Sequence, residues 1–198
     1  MTDAIAHAKR ALRAELRERR QQTSAASREA AASGIAAQLW RLVETTGARS
    51  LSCYLSSPAE PGTRPFINEA MARGLRVLLP VTRTDGLLDW AVATPGGGEF
   101  TGLFGTPEPL GELLSPLAVG DVDLMVIPAA AVDRSGMRMG WGRGYFDKTL
   151  GSMEKRPPVY AVVYDSELID DVPRDLHDQP VTGAVTPTRT VVFPLSDR

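Results

Sequence analysis

Cysteine is nearly absent: Cys53 stands alone among 198 residues. A single cysteine excludes an intrachain disulfide and any cysteine-based metal cluster. It falls inside the strand-like run at 51–55, where a buried, inert thiol is expected rather than a nucleophile. Histidine is almost as scarce, and neither of the two has a histidine neighbour with which to build a metal site. No apolar run approaches the roughly 20 residues of a membrane helix. The charged, alanine-rich start lacks the apolar core of a secretory signal. A net charge of −2 provides no overall basic field for nucleic acid. No repeat, low-complexity tract or linker divides the chain. The expectation is a cytoplasmic protein that engages neither membrane nor nucleic acid, a monomer or weak homo-oligomer.

What is present suits one domain over 1–198. An apolar content of 43% and a charged content of 23% are enough for a single sizeable core. Ile5, Ala8, Leu12 and Leu16 form an apolar stripe at helical spacing over 3–22, with Lys9, Arg10, Arg13, Arg17, Arg19 and Arg20 on the opposite surface. Lys9 and Arg13 are four apart and so project from one side. A second helix over 27–46 buries Ile35, Leu39, Leu42 and Val43, with Ser24 or Ser27 to start it and Gly47 to stop it. Thr63 opens a third helix. Short apolar runs at 51–55, 76–80, 87–92, 124–127, 159–164, 181–184 and 189–193 read as strands. Strands alternating with helices predict a three-layer α/β/α fold around a mostly parallel or mixed central sheet. Trp90 reads as packing, and Gly96–Gly98 as a turn with no helix after it.

The stretch 123–150, DLMVIPAAAVDRSGMRMGWGRGYFDKTL, carries the most chemistry. A strand buried on both faces runs into glycines at 136, 140, 142 and 144, and a helix-compatible pattern resumes at Tyr145. Strand, glycine-rich turn and helix start together read as a phosphate site, in which backbone N–H groups form an anion nest and the helix adds partial positive charge. The alternative is a surface loop whose glycines only make turns. The loop lacks the Lys-Ser/Thr ending of a Walker loop. It also lacks the third glycine of a dinucleotide fingerprint, where Tyr145 stands. Arg134, Arg138 and Arg143 suit phosphate oxygens, and Asp147 beside them suits Mg²⁺.

Pro128, Ala129, Asp133, Gly136, Arg138, Met139, Gly140, Gly142, Gly144, Tyr145, Phe146 and Asp147 fill, in order, a pattern that resembles the signature of the 5-formyltetrahydrofolate cyclo-ligase family. The likeness extends further. Lys9-Arg10-Ala11-Leu12-Arg13 is similar to the family's opening Lys-Arg-x-x-Arg. Tyr54, Leu55 and Glu60 fit its substrate loop, and 104–109 its Gly-Ile-x-Glu-Pro segment. His177, Asp178 and Val181 fit its late segment, and Thr186 the threonine after its penultimate strand.

The resemblance implies ATP- and Mg²⁺-dependent cyclisation of 5-formyltetrahydrofolate, with or without a polyglutamate tail, to 5,10-methenyltetrahydrofolate. No enzyme nucleophile is required, which agrees with the lack of a Ser-His-Asp or Cys-His constellation. By the same resemblance, Lys9, Arg13, Arg138, Met139, Gly140, Trp141, Gly142, Arg143, Gly144, Tyr145 and Phe146 hold ATP. Leu55, Glu60, Trp141 and Tyr145 meet the folate, Asp147 and Asp178 hold Mg²⁺, and Arg138 and Tyr145 are the catalytic pair. Arg64, Arg73 and Arg76 are candidate cations for the glutamate tail. Two alternatives stand beside this reading. One is a sugar-phosphate isomerase or CoA-transferase type of enzyme on the same scaffold, using Glu60 or Glu108. The other is a non-catalytic nucleotide- or folate-binding protein.

Overall fold

A computed structural model describes residues 2–194. Its elements run α1 (Thr2–Gln22), α2 (Ala25–Thr46), β1 (Ser50–Ser52), α3 (Arg64–Ala72), β2 (Arg76–Thr82), β3 (Leu88–Val92), β4 (Glu99–Thr101), β5 (Pro107–Pro109) and β6 (Leu113–Leu114). They continue with β7 (Leu124–Pro128), β8 (Ala131–Asp133), β9 (Arg138–Met139), α4 (Tyr145–Ser152), β10 (Val159–Val162), β11 (Leu168–Ile169), β12 (Gly183–Val185) and β13 (Thr190–Val192).

Local chemistry explains the boundaries of α2. The Ser24 hydroxyl accepts the Ser27 N–H at 3.1 Å, satisfying a donor that the helix itself cannot. At the other end Gly47 adopts φ 68° and donates to the Val43 carbonyl. Between these caps Ile35, Leu39, Leu42 and Val43 turn inward, as their spacing predicts. Burying each such side chain contributes about 1.5–3 kcal/mol.

Eight strands form one sheet in the order β13-β12-β10-β7-β1-β2-β3-β6. The five from β12 to β2 are parallel, and β13, β3 and β6 join antiparallel at the flanks. The mixed sheet is therefore present. Helices α2 and α3 cover one face, packing on Leu51, Val77 and Leu124. Helix α4 and the turn around Val119 cover the other, against Met125, Ile127 and Trp90, which is fully buried. From β1 the chain proceeds to β2 on one side, whereas β7, β10 and β12 extend on the other. The carboxyl ends of β1 and β7 thus flank a topological switch point, where open α/β sheets bind ligands.

Two expectations change. The apolar stripe and the basic face of α1 are not opposite. Leu16 and Arg20 are buried, Ile5, Lys9, Leu12 and Arg13 are half-buried, and Ala8 is exposed. The physical reason is register: Ile5, Lys9, Leu12, Leu16 and Arg20 are three or four apart and share a face. Nor does the buried strand feed the glycine loop directly. A hairpin, β8–β9, intervenes and joins β11 in a separate small sheet. Asp133 builds its turn, accepting the N–H groups of Ser135 and Met137 and the Ser135 hydroxyl on Oδ1. Among the described residues no helix is long and apolar enough to cross a membrane.

Candidate active site

The glycine loop leaves β9 and enters α4 through two left-handed residues, Gly142 at φ 95° and Gly144 at φ 72°. An L side chain at either would be strained. A Cβ on Gly142 would also come within 3.3 Å of the Arg13 guanidinium, which packs on the loop. Arg13 Nε donates to the Gly140 carbonyl at 2.8 Å, so α1 clasps the loop from above. Burial pulls the Arg13 guanidinium below its ordinary value, against the opposing charges of Asp178 and Asp147.

Two further ion pairs complete this wall. Lys9 Nζ lies 2.5 Å from Asp178 Oδ2, which also accepts the Asp175 N–H at 2.7 Å. Arg138, 3% exposed, donates from Nη2 to Asp147 Oδ1 at 2.7 Å. The same oxygen accepts the Gln179 N–H at 3.3 Å. Arg138 Nε is buried without a partner. Burial lowers the affinity of this guanidinium for its proton, while Asp147 and Asp178 act the other way.

Two cavities meet at the loop. The larger, about 820 Å³, is bounded by Lys9, Arg13, Met139, Gly142 and Asp178, with Lys148 and the exposed His177 on its rim. The smaller, about 160 Å³, is bounded mainly by apolar and aromatic groups, including Leu55, Trp141, Tyr145 and Phe146, with Glu60, Arg138 and Arg143 among them. Gly140, Gly144 and Asp147 line both. One cavity is open and rich in cations, the other small and aromatic. They share a wall made of backbone and a carboxylate.

The expected site residues therefore divide. Lys9, Arg13, Met139, Gly142 and Asp178 surround the larger space. Arg138, Trp141, Arg143, Tyr145 and Phe146, which the resemblance put on the nucleotide, line the smaller one together with Leu55 and Glu60. The Met139 side chain packs with Leu16, Ala131 and Val172, leaving backbone for any ligand. The Tyr145 hydroxyl donates to the Arg83 carbonyl at 2.6 Å, which fixes its ring. Phe104 lies 5.8 Å from that ring, and the Arg143 guanidinium 3.9 Å from the Phe104 centroid. A Glu60 oxygen accepts the Ser57 N–H at 2.8 Å. Arg64, paired with Glu99, lines an open groove that joins the smaller cavity at Glu60 and Pro107. Arg73 instead pairs with Glu69, and Arg76 is exposed at the start of β2; neither lines that groove.

Sequence reasoning missed several neighbours. Arg20, read as part of a solvated face, is buried in a paired contact with Glu167 at 2.6 and 2.8 Å. It also donates to the Ala129 carbonyl and lies 4.8 Å from the centre of the Trp141 ring. Burial disfavours its charge, but the hydrogen bond and charge of Glu167 prevail and hold its pKa above the ordinary value. Thr82 at the smaller cavity and Lys148 at the larger were likewise unassigned, and Glu108, a candidate only under the alternative enzyme, lines the smaller cavity as well. Glutamate flanked by two prolines is the one signal of a fixed, buried carboxylate.

A model of the 5-formyltetrahydrofolate cyclo-ligase family matches residues 5–187, most of the described chain. The chain belongs to that family. A 5-formyltetrahydrofolate cyclo-ligase of Mycolicibacterium smegmatis is 38% identical over 149 residues, covering 73% of this chain and 76% of the relative. One from Escherichia coli is 29% identical over 146 residues, covering 72% and 80%. The NMR structure of Aquifex aeolicus 5,10-methenyltetrahydrofolate synthetase superposes with a TM-score of 0.79 at 25% identity, covering 96% of this chain and 94% of that one. A synthetase from Mycoplasma pneumoniae shares the fold at 17% identity, with a TM-score of 0.72 over 90% and 98% of the two chains. The chain is thus an enzyme of the cyclo-ligase family, and its mixed sheet is the architecture of the Aquifex aeolicus synthetase.

Proposed function

We propose that this cyclo-ligase binds ATP in the larger cavity and 5-formyltetrahydrofolate in the smaller, and closes the folate to 5,10-methenyltetrahydrofolate with release of ADP and phosphate. The observation that carries this reading is the wall of Gly140, Gly144 and Asp147 common to both spaces. A phosphoryl group can pass from one ligand to the other only where the two meet.

The formyl group is amide-like, and its oxygen is a poor leaving group. Attack by that oxygen on the γ-phosphorus breaks the bond to ADP and leaves an iminium phosphate on N5. N10 of the same folate then attacks the formyl carbon and gives up its proton. The carbon–oxygen bond breaks, and inorganic phosphate departs with the former formyl oxygen. No covalent enzyme intermediate is needed, so catalysis rests on positioning and charge.

Lys9 and Arg13 would hold phosphates from α1. The Gly140–Gly144 backbone offers N–H groups to the transferring group, and Arg138, dehydrated by burial, neutralises the charge that develops there. Tyr145, held through its hydroxyl, and Trp141 present rings to the folate, and Glu60 stands at the mouth of the same cavity. The groove past Arg64 gives an anionic glutamate tail a path outward.

Among the described residues no group of three or more His, Cys, Asp or Glu side chains converges. Mg²⁺ does not demand one, since it is commonly held by one or two carboxylates, waters and substrate phosphates. Asp147 and Asp178 open on the larger cavity and fit that role. The ion would supply charge neutralisation on the phosphates.

The test mixes purified protein with 5-formyltetrahydrofolate, Mg²⁺ and ATP and follows the near-ultraviolet absorbance of the methenyl product. An ATP-dependent rise is expected. No rise with both substrates intact would overturn the reading.

A further inference from the structure

Glu108 sits on β5 between Pro107 and Pro109, is 3% exposed, and lines the smaller cavity. Among the described residues its one hydrogen-bond donor is the Thr82 hydroxyl, 2.5 Å from Oε1. The flanking prolines have no N–H to offer it. Gly102 backs the carboxylate so closely that any side chain there would collide with it. Arg138 is engaged by Asp147, and Arg143 lies over Phe104. An ionised carboxylate has about four acceptor sites, and one hydroxyl occupies one of them. Burying such a group without further donors is costly. The sequence nevertheless builds a rigid strand to hold it at a ligand cavity.

We infer that Glu108 recognises the amino-amide edge of the reduced pterin ring. That edge carries the ring N3–H and the exocyclic 2-amino group side by side. Together they form a fork of two donors that suits a carboxylate as a guanidinium does. Thr82 holds one oxygen and so fixes the plane in which the fork is met. A pterin docked by this edge turns its N5-bearing ring away from Glu108 and toward Gly140, Gly144 and Asp147, where the formyl oxygen must meet phosphate. The inference rests on the proposed folate substrate and adds which atoms of this chain select the ring and set its direction.

The experiment is a double cycle. Wild type and Glu108→Gln are each assayed with 5-formyltetrahydrofolate and with an analogue whose 2-amino group is replaced by methyl. With the natural folate, Glu108→Gln should raise the folate KM about 10- to 100-fold, as expected for a lost charge-assisted pair. The KM for ATP should stay within about two-fold, because Glu108 does not line the larger cavity. The analogue should cost wild type a similar factor and cost Glu108→Gln little more. Penalties that multiply, or an unchanged folate KM, would overturn the inference while leaving the cyclo-ligase reading intact. Absence of methenyl product from wild type with the natural folate would overturn both. If Glu108→Gln does not fold, wild type decides alone: equal kcat/KM for folate and analogue refutes recognition of the amino group.

Discussion

Lys9 and Asp178, separated by 169 positions in sequence, form an ion pair with Nζ 2.5 Å from Oδ2 at the mouth of the larger cavity. Each end is half-buried and faces the space assigned to polyphosphate. In the free protein the two charges neutralise one another. With nucleotide bound as proposed, Lys9 would turn to a phosphate oxygen and Asp178 to Mg²⁺, so the pair would reserve both groups. Lys9→Met should lower kcat/KM for ATP about 100-fold, the scale of one lost charge-stabilising group. Steady-state kinetics with ATP varied measures this. An unchanged value would remove Lys9 from the nucleotide site.

Asp147 receives both Arg138 and the Gln179 N–H on one oxygen, so the other would be the one to meet the proposed Mg²⁺. Asp147→Asn should reduce turnover roughly 100-fold or more and shift the Mg²⁺ dependence to higher concentration. Titration of activity with Mg²⁺ separates this from a folding defect. Wild-type turnover at saturating Mg²⁺ would end the metal assignment.

Arg20 and Glu167 are a buried pair, and loss of one partner strands the other. Arg20→Met should destabilise the chain by about 3–5 kcal/mol, the usual cost of an uncompensated buried charge. Urea unfolding followed by circular dichroism measures it. A loss below about 1 kcal/mol would mean that the pair acts as an exposed one does.

Burial pushes the Cys53 thiol up from an ordinary 9.0 to about 12. The native protein should therefore resist an aromatic disulfide reagent at pH 8, whereas the unfolded chain reacts. The sign for stability follows from the same shift. The unfolded thiol ionises first, so its contribution is complete below pH 9.0 and is lost as pH rises toward about 12.

Local and periodic features were legible in the sequence. The Ser24 and Gly47 caps, the inward residues of α2 and the buried 124–127 run follow from neighbours a few positions away. The glycine loop was legible because only particular residues fill so ordered a pattern. Partners distant in sequence were not legible. Arg20 looks solvated until Glu167 and Trp141 are brought to it. The β8–β9 hairpin depends on Asp133 closing a turn and on β11 pairing beside it, although Asp-Arg-Ser-Gly is itself a turn signal. Arg138, Trp141, Arg143, Tyr145 and Phe146 line the smaller cavity, Met139 and Gly142 the larger, and Gly140, Gly144 and Asp147 both, an interleaving that a linear motif does not display.

In the proposed reaction phosphate passes directly onto the formyl oxygen across the Gly140–Asp147 wall. The most direct measurement uses 5-formyltetrahydrofolate carrying a heavy oxygen isotope in its formyl group, turned over once with ATP and Mg²⁺. The released phosphate is then examined by mass spectrometry. One heavy oxygen in the inorganic phosphate for each methenyl group formed is the predicted result. Unlabelled phosphate, with the heavy oxygen recovered in water, would rule out direct transfer.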